Sequence, residues 1–305
     1  MRVVEKNKLV LSAGIMLVQS CSHLVTDQMP ARPGITQLKD ATYKGLDEQP
    51  IRLVAGRFEG EPFVPGGASR LRVVLHDELI IFADLDDDGV NEAIVPLVKQ
   101  AGGSGTWTYL AIMGADARNI DTVLLGDRIQ LIELSTRGPR VHADFIKHGP
   151  TDGMCCPTQR VEQEWILRNS RLEGSETLQI GTLSIGILAG TAWTLKSATG
   201  LERIDSTEPL TAVFGNDRID GFAGCNRYFA SIQSREPGQI SLGTMGATAR
   251  ECEASSMSLE SRFLRDLENI DHYGFSVGQL VLSGSDGDGS RIDMTFSRST
   301  SSETP

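Results

Sequence analysis

Three stretches of this 305-residue chain combine residue types and spacings that can do chemistry. The first is Asp84-Leu85-Asp86-Asp87-Asp88-Gly89-Val90-Asn91-Glu92. Calcium takes six to eight hard oxygens, and carboxylates at alternate positions can converge on one point where a glycine allows a sharp turn. Asp84, Asp86 and Asp88 would offer side chains, Val90 its carbonyl, and Glu92 a further oxygen through water. Val95 stands where a helix–loop–helix calcium site has its bidentate glutamate, and the flanks read as strands. The expectation is weak, structural calcium binding, on the order of 0.1–1 mM. A solvated acidic turn between two strands would have the same composition.

The second stretch is Cys155-Cys156, set between Pro150 and Pro157. Adjacent cysteines can close a vicinal disulfide, a small ring that is strained and easily reduced. They can instead hold a soft metal with His142 or His148, pair with distant cysteines, or remain two buried thiols. Zinc sites usually separate their cysteines so that both thiolates reach one ion, which an adjacent pair does poorly. The third stretch is Gly221-Phe222-Ala223-Gly224-Cys225-Asn226-Arg227-Tyr228, with Cys252 following in Thr248-Ala249-Arg250-Glu251-Cys252. Asn226 is the residue type that satisfies backbone groups in a turn. Gly102-Gly103-Ser104-Gly105 lacks the Lys-Ser/Thr of a phosphate loop, and Thr106 stands where a nucleophile elbow needs glycine. No Ser-His-Asp, zinc or Cys-x-x-Cys motif stands out, so the chain reads as non-enzymatic.

The elements that must carry these residues are mostly strands. Leu71–Leu75, Leu79–Ala83, Ala93–Val95, Trp107–Met113, Arg128–Leu134, Val141–Ile146 and Val161–Leu167 read as strands with short Gly-, Pro- and Asp-rich connections. Sequential antiparallel pairing is the economical topology. Residues 46–170 are therefore expected to form an all-β domain. Residues 171–186, rich in Gly and Ser, read as a linker. Beyond it, Ala192–Lys196, Leu210–Phe214, Arg218–Phe222, Tyr228–Gln233, Gln239–Leu242, Tyr273–Val277, Gln279–Ser283 and Arg291–Ser297 read as strands. Ser258 is placed to cap a helix running to Ile270, with Phe263, Leu264, Leu267 and Ile270 on one face. Residues 299–305 read as a polar, disordered tail.

The N-terminus reads as an address. Arg2, Lys6 and Lys8 precede the apolar run Leu9–Val18, which is of signal-peptide length and too short to span a bilayer comfortably. It ends at Val18-Gln19-Ser20-Cys21, which resembles a bacterial lipobox. The resemblance implies removal of residues 1–20 and lipidation of Cys21. Ser22, in place of an aspartate, implies an outer-membrane anchor. Residues 21–45 then serve as a tether. An ordinary secretory peptide is the other reading.

Residues 187–298 resemble the META, or HslJ-like, domain family. Gly190, Trp193-Thr194-Leu195, Gly224-Cys225-Asn226, Tyr228, Thr248, Cys252, Glu260, Phe263, Leu264 and Leu267 carry the likeness. It implies an α+β domain: an antiparallel sheet or barrel with one helix. Residues 46–170 are similar to a domain of bacterial envelope lipoproteins marked by Asp84–Gly89, Gly102–Gly105 and His148-Gly149-Pro150 to Cys155-Cys156-Pro157-Thr158. Once Cys21 is assigned to the lipid, four of five cysteines remain, two per domain. In an oxidising compartment the wholly local pairing is Cys225–Cys252 and Cys155–Cys156.

The net charge is −11, which disfavours nucleic acid or an anionic lipid surface as partner. The expected function is a non-catalytic binding or structural role at the outer membrane, with an envelope protein or small molecule as partner. The META likeness implies a link to envelope stress or tolerance of antibacterial compounds. A periplasmic thiol-redox or hydrolytic enzyme is the competing class.

Overall fold

The computed structural model describes residues 31–201, 204 and 208–299. Residues 1–20 and Cys21, with the start of the tether, lie outside the described residues, as do residues 300–305 of the tail.

The chain begins with a short helix α1 (Ile35–Lys39) and two short paired strands, β1 (Thr42–Tyr43) and β2 (Ile51–Arg52). The helix and β1 lie within the stretch read as a tether. Leu38 and Tyr43 are fully buried there, and the Tyr43 hydroxyl donates to the Leu38 carbonyl at 2.9 Å. The apolar residues Leu38, Ala41, Tyr43 and Leu46 sit too close together to show a repeat, yet all pack on one sheet face.

That sheet has six antiparallel strands: β3 (Arg57–Pro62), β4 (Arg70–Leu75), β5 (Ile81–Ala83), β6 (Glu92–Ala101), β7 (Thr106–Met113) and β8 (Asn119–Asp127). Its order is β3-β4-β6-β7-β8, with β5 also on β6. Strand β6 shows why its sequence is a continuous apolar run rather than an alternation. Ala93, Val95 and Leu97 point to the α1 side, while Ile94 points to a second core, so both faces are covered. Ala111 and Met113 against Leu110 and Ile112 repeat the division on β7.

The second core is shared with a five-stranded sheet: β9 (Gln130–Arg137), β10 (Arg140–Lys147), β11 (Gln159–Arg168), β12 (Arg171–Gly174) and β13 (Leu178–Thr182). Sequential neighbours from β9 to β12 pair antiparallel, as expected. Two expectations are corrected here. The strand expected from Arg128 begins only at Gln130, because Arg128 takes a positive φ of 50° in the turn between β8 and β9. The 171–186 stretch is not a free linker, since β12 and β13 both pair with β11 and its end turns Leu183 into the core.

The remaining strands are β14 (Ala192–Ala198), β15 (Thr211–Phe214), β16 (Arg218–Phe222), β17 (Arg227–Gln233), β18 (Ser241–Leu242), β19 (Gly246–Ala247), β20 (Ile270–Ser276), β21 (Gln279–Ser285) and β22 (Arg291–Arg298). They run in the order β18-β17-β16-β15-β14-β22-β21-β20, with β19 beside β17. A bridge between Gln239 and His272 nearly closes this antiparallel sheet into a barrel. Trp193, Phe214, Tyr228 and Phe296 fill the barrel. Helix α2 (Ala254–Glu268) packs Phe263 and Leu267 against the same core, with Phe263 edge-on to Tyr228 at 5.6 Å. The helix starts four positions before Ser258, directly after Cys252 and Glu253. The cap at Glu253 makes no side-chain hydrogen bond, and Cys252, just before it, ties the start of the helix to Cys225.

The two β assemblies interlock. The β20–β21 turn, Val277 (φ 46°) and Gly278 (φ 76°), enters the sandwich side. Val277 is 7% exposed and belongs to the sandwich core. The Gly278 N–H donates to the Leu131 carbonyl at 2.7 Å, and a side chain at 278 would strike Leu79. In return, Ile132 and Ile146 of the sandwich contribute to the barrel core.

Candidate functional site

The Gly221–Tyr228 motif is a turn welded to the helix. Tyr228 donates to the Thr211 carbonyl at 2.9 Å, and a Cβ on Gly221 would collide with that same carbonyl. Gly224 has a φ of 108°, which only glycine adopts readily. These two glycines let the chain turn tightly enough to bury Cys225 and Asn226, each 2% exposed. The Asn226 Nδ2 group donates to Glu260 Oε1 at 3.1 Å and to the Arg250 carbonyl at 3.2 Å. Its Oδ1 accepts from the Thr248 hydroxyl at 2.9 Å and from the Arg250 N–H at 2.6 Å. The Asn226 N–H donates to Glu260 Oε2 at 2.6 Å. Cys225 and Cys252 lie at disulfide distance across the same junction. One asparagine thus joins two separate segments, Thr248–Arg250 and the helix, and Glu260 accepts from both of its nitrogens. The side-chain polar atoms of Asn226 and Glu260 all have partners, so the arrangement clamps the fold.

The acidic loop divides its expected ligands. Asp84, Asp86 and Asp88 bring carboxylate oxygens within 4.8 Å of one another, the only such group of three His, Cys, Asp or Glu side chains among the described residues. Gly89, with φ 84°, makes the turn. Asp84 accepts the N–H groups of Asp88 at 3.1 Å and Gly89 at 2.9 Å. Glu92 does not join them. It is 4% exposed and its Oε2 accepts the Leu85 N–H at 2.9 Å, while burial raises its pKa. The Val90 N–H is taken up by Asp88 at 2.8 Å. Three carboxylates fall short of the six to eight oxygens calcium takes, so water would complete any such shell.

Cys155 and Cys156 are likewise at disulfide distance, in the loop between β10 and β11. The proposed metal partners do not gather around them. His142 is buried in β10, 3.4 Å from Glu162 and 3.5 Å from Ser135. The loop is tied at its stem by Asp152, whose Oδ2 accepts the Gly149 N–H at 2.8 Å and the Thr158 N–H at 2.6 Å. Its Oδ1 accepts the Thr158 hydroxyl at 2.8 Å. These bonds, the Gly149 N–H foremost, hold the Asp152 carboxyl below the usual carboxylate range. Both cysteines are exposed and line a cleft of about 820 Å³ between the two β assemblies. From the barrel side, Glu236, Gln239, His272, Phe275, Ser283 and Arg291 face the same space. Nothing in their local sequence marks them, because separate strands and turns bring them together.

Ser135, His142 and Glu162 form a line across β9, β10 and β11 that sequence order concealed. The backbone around His142 is committed to ladders with both neighbouring strands, whereas Ser135 lies on β9, the edge strand of this sheet.

Residues 187–296 match the META domain model, and the C-terminal part of the chain is a META domain. One solved structure, an NMR structure of a protein from Burkholderia xenovorans, is 25% identical, with 41% of this chain and 95% of that chain covered at a TM-score of 0.32. No curated protein matches the chain.

Proposed function

We propose, from the premise that residues 187–296 are a META domain, that this chain is an outer-membrane lipoprotein with a non-catalytic binding role in the cell envelope. Cys21 carries the lipid, and the body faces the periplasm. The observation that carries the reading is the pairing of all four remaining cysteines within their own halves of the chain. One of the pairs is exposed, and exposed pairs persist in oxidising compartments and are rare in the cytosol. The cleft between the assemblies is the binding feature, since its volume of about 820 Å³ lies in the range of small-molecule sites. The binding reading is preferred to a hydrolytic one because Ser135, His142 and Glu162 do not border the cleft. A role in envelope stress or tolerance of antibacterial compounds would follow from the ligand held there. No helix among the described residues is long and apolar enough to cross a membrane, so attachment would rest on the lipid.

The test has two arms. Cys21→Ala should release the chain from membranes or leave it unprocessed, and normal membrane fractionation of that variant would refute the anchor. Protein extracted from envelopes under thiol-blocking conditions should yield no free thiol, and four free thiols would refute the compartment.

A further inference from the structure

The four paired cysteines differ in what can reach them. Cys225 is 2% exposed and is covered by Asn226 and the Arg250 carbonyl, and its partner Cys252 is partly buried. Cys155 and Cys156 are exposed and form part of the cleft wall. Exchange requires a thiolate to approach one sulfur of the bond, and access is one of the factors that set its rate. We propose that Cys155–Cys156 is a thiol-exchange site and that the cleft admits low-molecular-weight thiols to it.

Three observations carry this. The cleft gives an approach, and it has two sides: residues 151–158 on one, and residues 236–239 with β20 and β21 on the other. A small thiol fits between such walls, whereas a folded protein would have to displace them. The cleft also offers mixed polarity for a small zwitterion, with Arg128, His272 and Arg291 lining it along with the carboxylates of Asp152 and Glu236. Finally, Asp152 holds Gly149 and Thr158 together by bonds that do not involve sulfur, so the loop keeps its stem when the disulfide opens.

The step balances without a further reactant. A thiolate attacks Sγ of one cysteine, a substrate–cysteine disulfide forms, the Cys155–Cys156 bond breaks, and the other cysteine leaves as thiolate. A second thiolate attacks the substrate sulfur of that mixed disulfide. Two thiols become one small disulfide, and the protein pair is reduced to two thiols that take up the two protons. The process is stoichiometric, and it is independent of the membrane anchor.

The experiment uses the full chain with Cys21→Ser, treated with glutathione, quenched, alkylated and peptide-mapped. The expected result is a glutathione adduct on Cys155 or Cys156, followed by two thiols there, while Cys225–Cys252 stays closed. Glu236→Trp, in an exposed turn, and Ser283→Trp, on β21, narrow the cleft from the barrel side and should slow opening several-fold. Circular dichroism identifies a variant that fails to fold, and the other then decides. Cys156→Ser provides a second measurement, since its Cys155 should be glutathionylated by oxidised glutathione. Opening of Cys225–Cys252 first, opening of both pairs at one rate, an unchanged rate in a folded tryptophan variant, or no adduct on Cys155 in Cys156→Ser would each overturn the proposal.

Discussion

The turn at Cys225 and the loop at Cys155 are built from the same parts. Each uses a carboxylate, a threonine and a cysteine pair to tie a strand connection, with Glu260, Thr248 and Cys252 in one and Asp152, Thr158 and Cys156 in the other. They differ in burial. Asn226, Cys225 and Glu260 are buried in the first, with Thr248 and Arg250 closing it at the surface, whereas the second leaves both its sulfurs on a cleft. A buried cluster of this kind is costly to disturb, because each orphaned group keeps its desolvation penalty. An exposed one costs little, because water takes the place of a lost partner. Similar side chains therefore stabilise the fold in one place and remain available for exchange in the other.

The sharpest way to break the comparison is Asn226→Ala. It would strand the buried Glu260 carboxylate and remove the common partner of the exposed Thr248 and Arg250, and should cost about 3 kcal/mol in urea unfolding. A loss within error would show that the cluster is not a clamp. Replacing Cys225 and Cys252 together by alanine should cost about 3 kcal/mol, given a loop of this length. The matching double replacement of Cys155 and Cys156 by serine should stay within about 0.5 kcal/mol, as at other exposed positions. Equal losses would erase the distinction.

The carboxylates sharpen it further by titration. Asp152 has a depressed pKa, so its contribution to loop order is present above the unfolded aspartate range and is lost as pH falls through its folded value. NMR shifts of the Gly149 and Thr158 amides should titrate with a midpoint below about 3.9. A midpoint at the ordinary value would show that those bonds do not form. Glu92 should act with the opposite sign. Its pKa is raised, so its contribution favours low pH and declines as pH rises through the unfolded glutamate value toward the folded one. The smallest effect expected is that of calcium. A few millimolar should raise Tm by about 2–3 °C through Asp84, Asp86 and Asp88, and Asp86→Ala should remove the shift. No shift in the parent chain would leave the loop a plain acidic turn.

The antiparallel order and most strands were legible because alternation and short turns are local properties. Strand β10 shows it, with Val141, Ala143 and Phe145 facing one core and Ile146 another. The helix at Phe263 and Leu267 was legible for the same reason, but its start was not. Ser258 is a good cap by type, yet the helix already begins at Ala254, just past the Cys252 bond to Cys225. Strands β12 and β13 were missed because they are short and Gly174-Ser175, Gly181 and Ser184 break up their sequence, and their order comes from pairing with β11. Of the acidic loop, spacing identified the three aspartates that meet. It could not reveal that Glu92 turns inward to the Leu85 N–H. The role of Asn226 was underestimated for a similar reason, since five of its partner atoms come from residues 24 to 34 positions away or from Thr248. The cleft could not be read at all, because it exists only where two assemblies meet.

The seating of Val277 in the sandwich core has a consequence for the order of synthesis. A chain emerges from its N-terminus, and domains ordinarily fold as they appear. Here the sheet that includes Leu131, and the side chain of Leu79, are made well over a hundred residues before Val277 and Gly278, which cover them. The first-made half must wait, with an apolar socket open, until nearly all of the chain has been delivered. A message truncated before the β20–β21 turn would yield not a shorter working protein but a sandwich with an exposed seam, ready to be recognised by a chaperone or a protease.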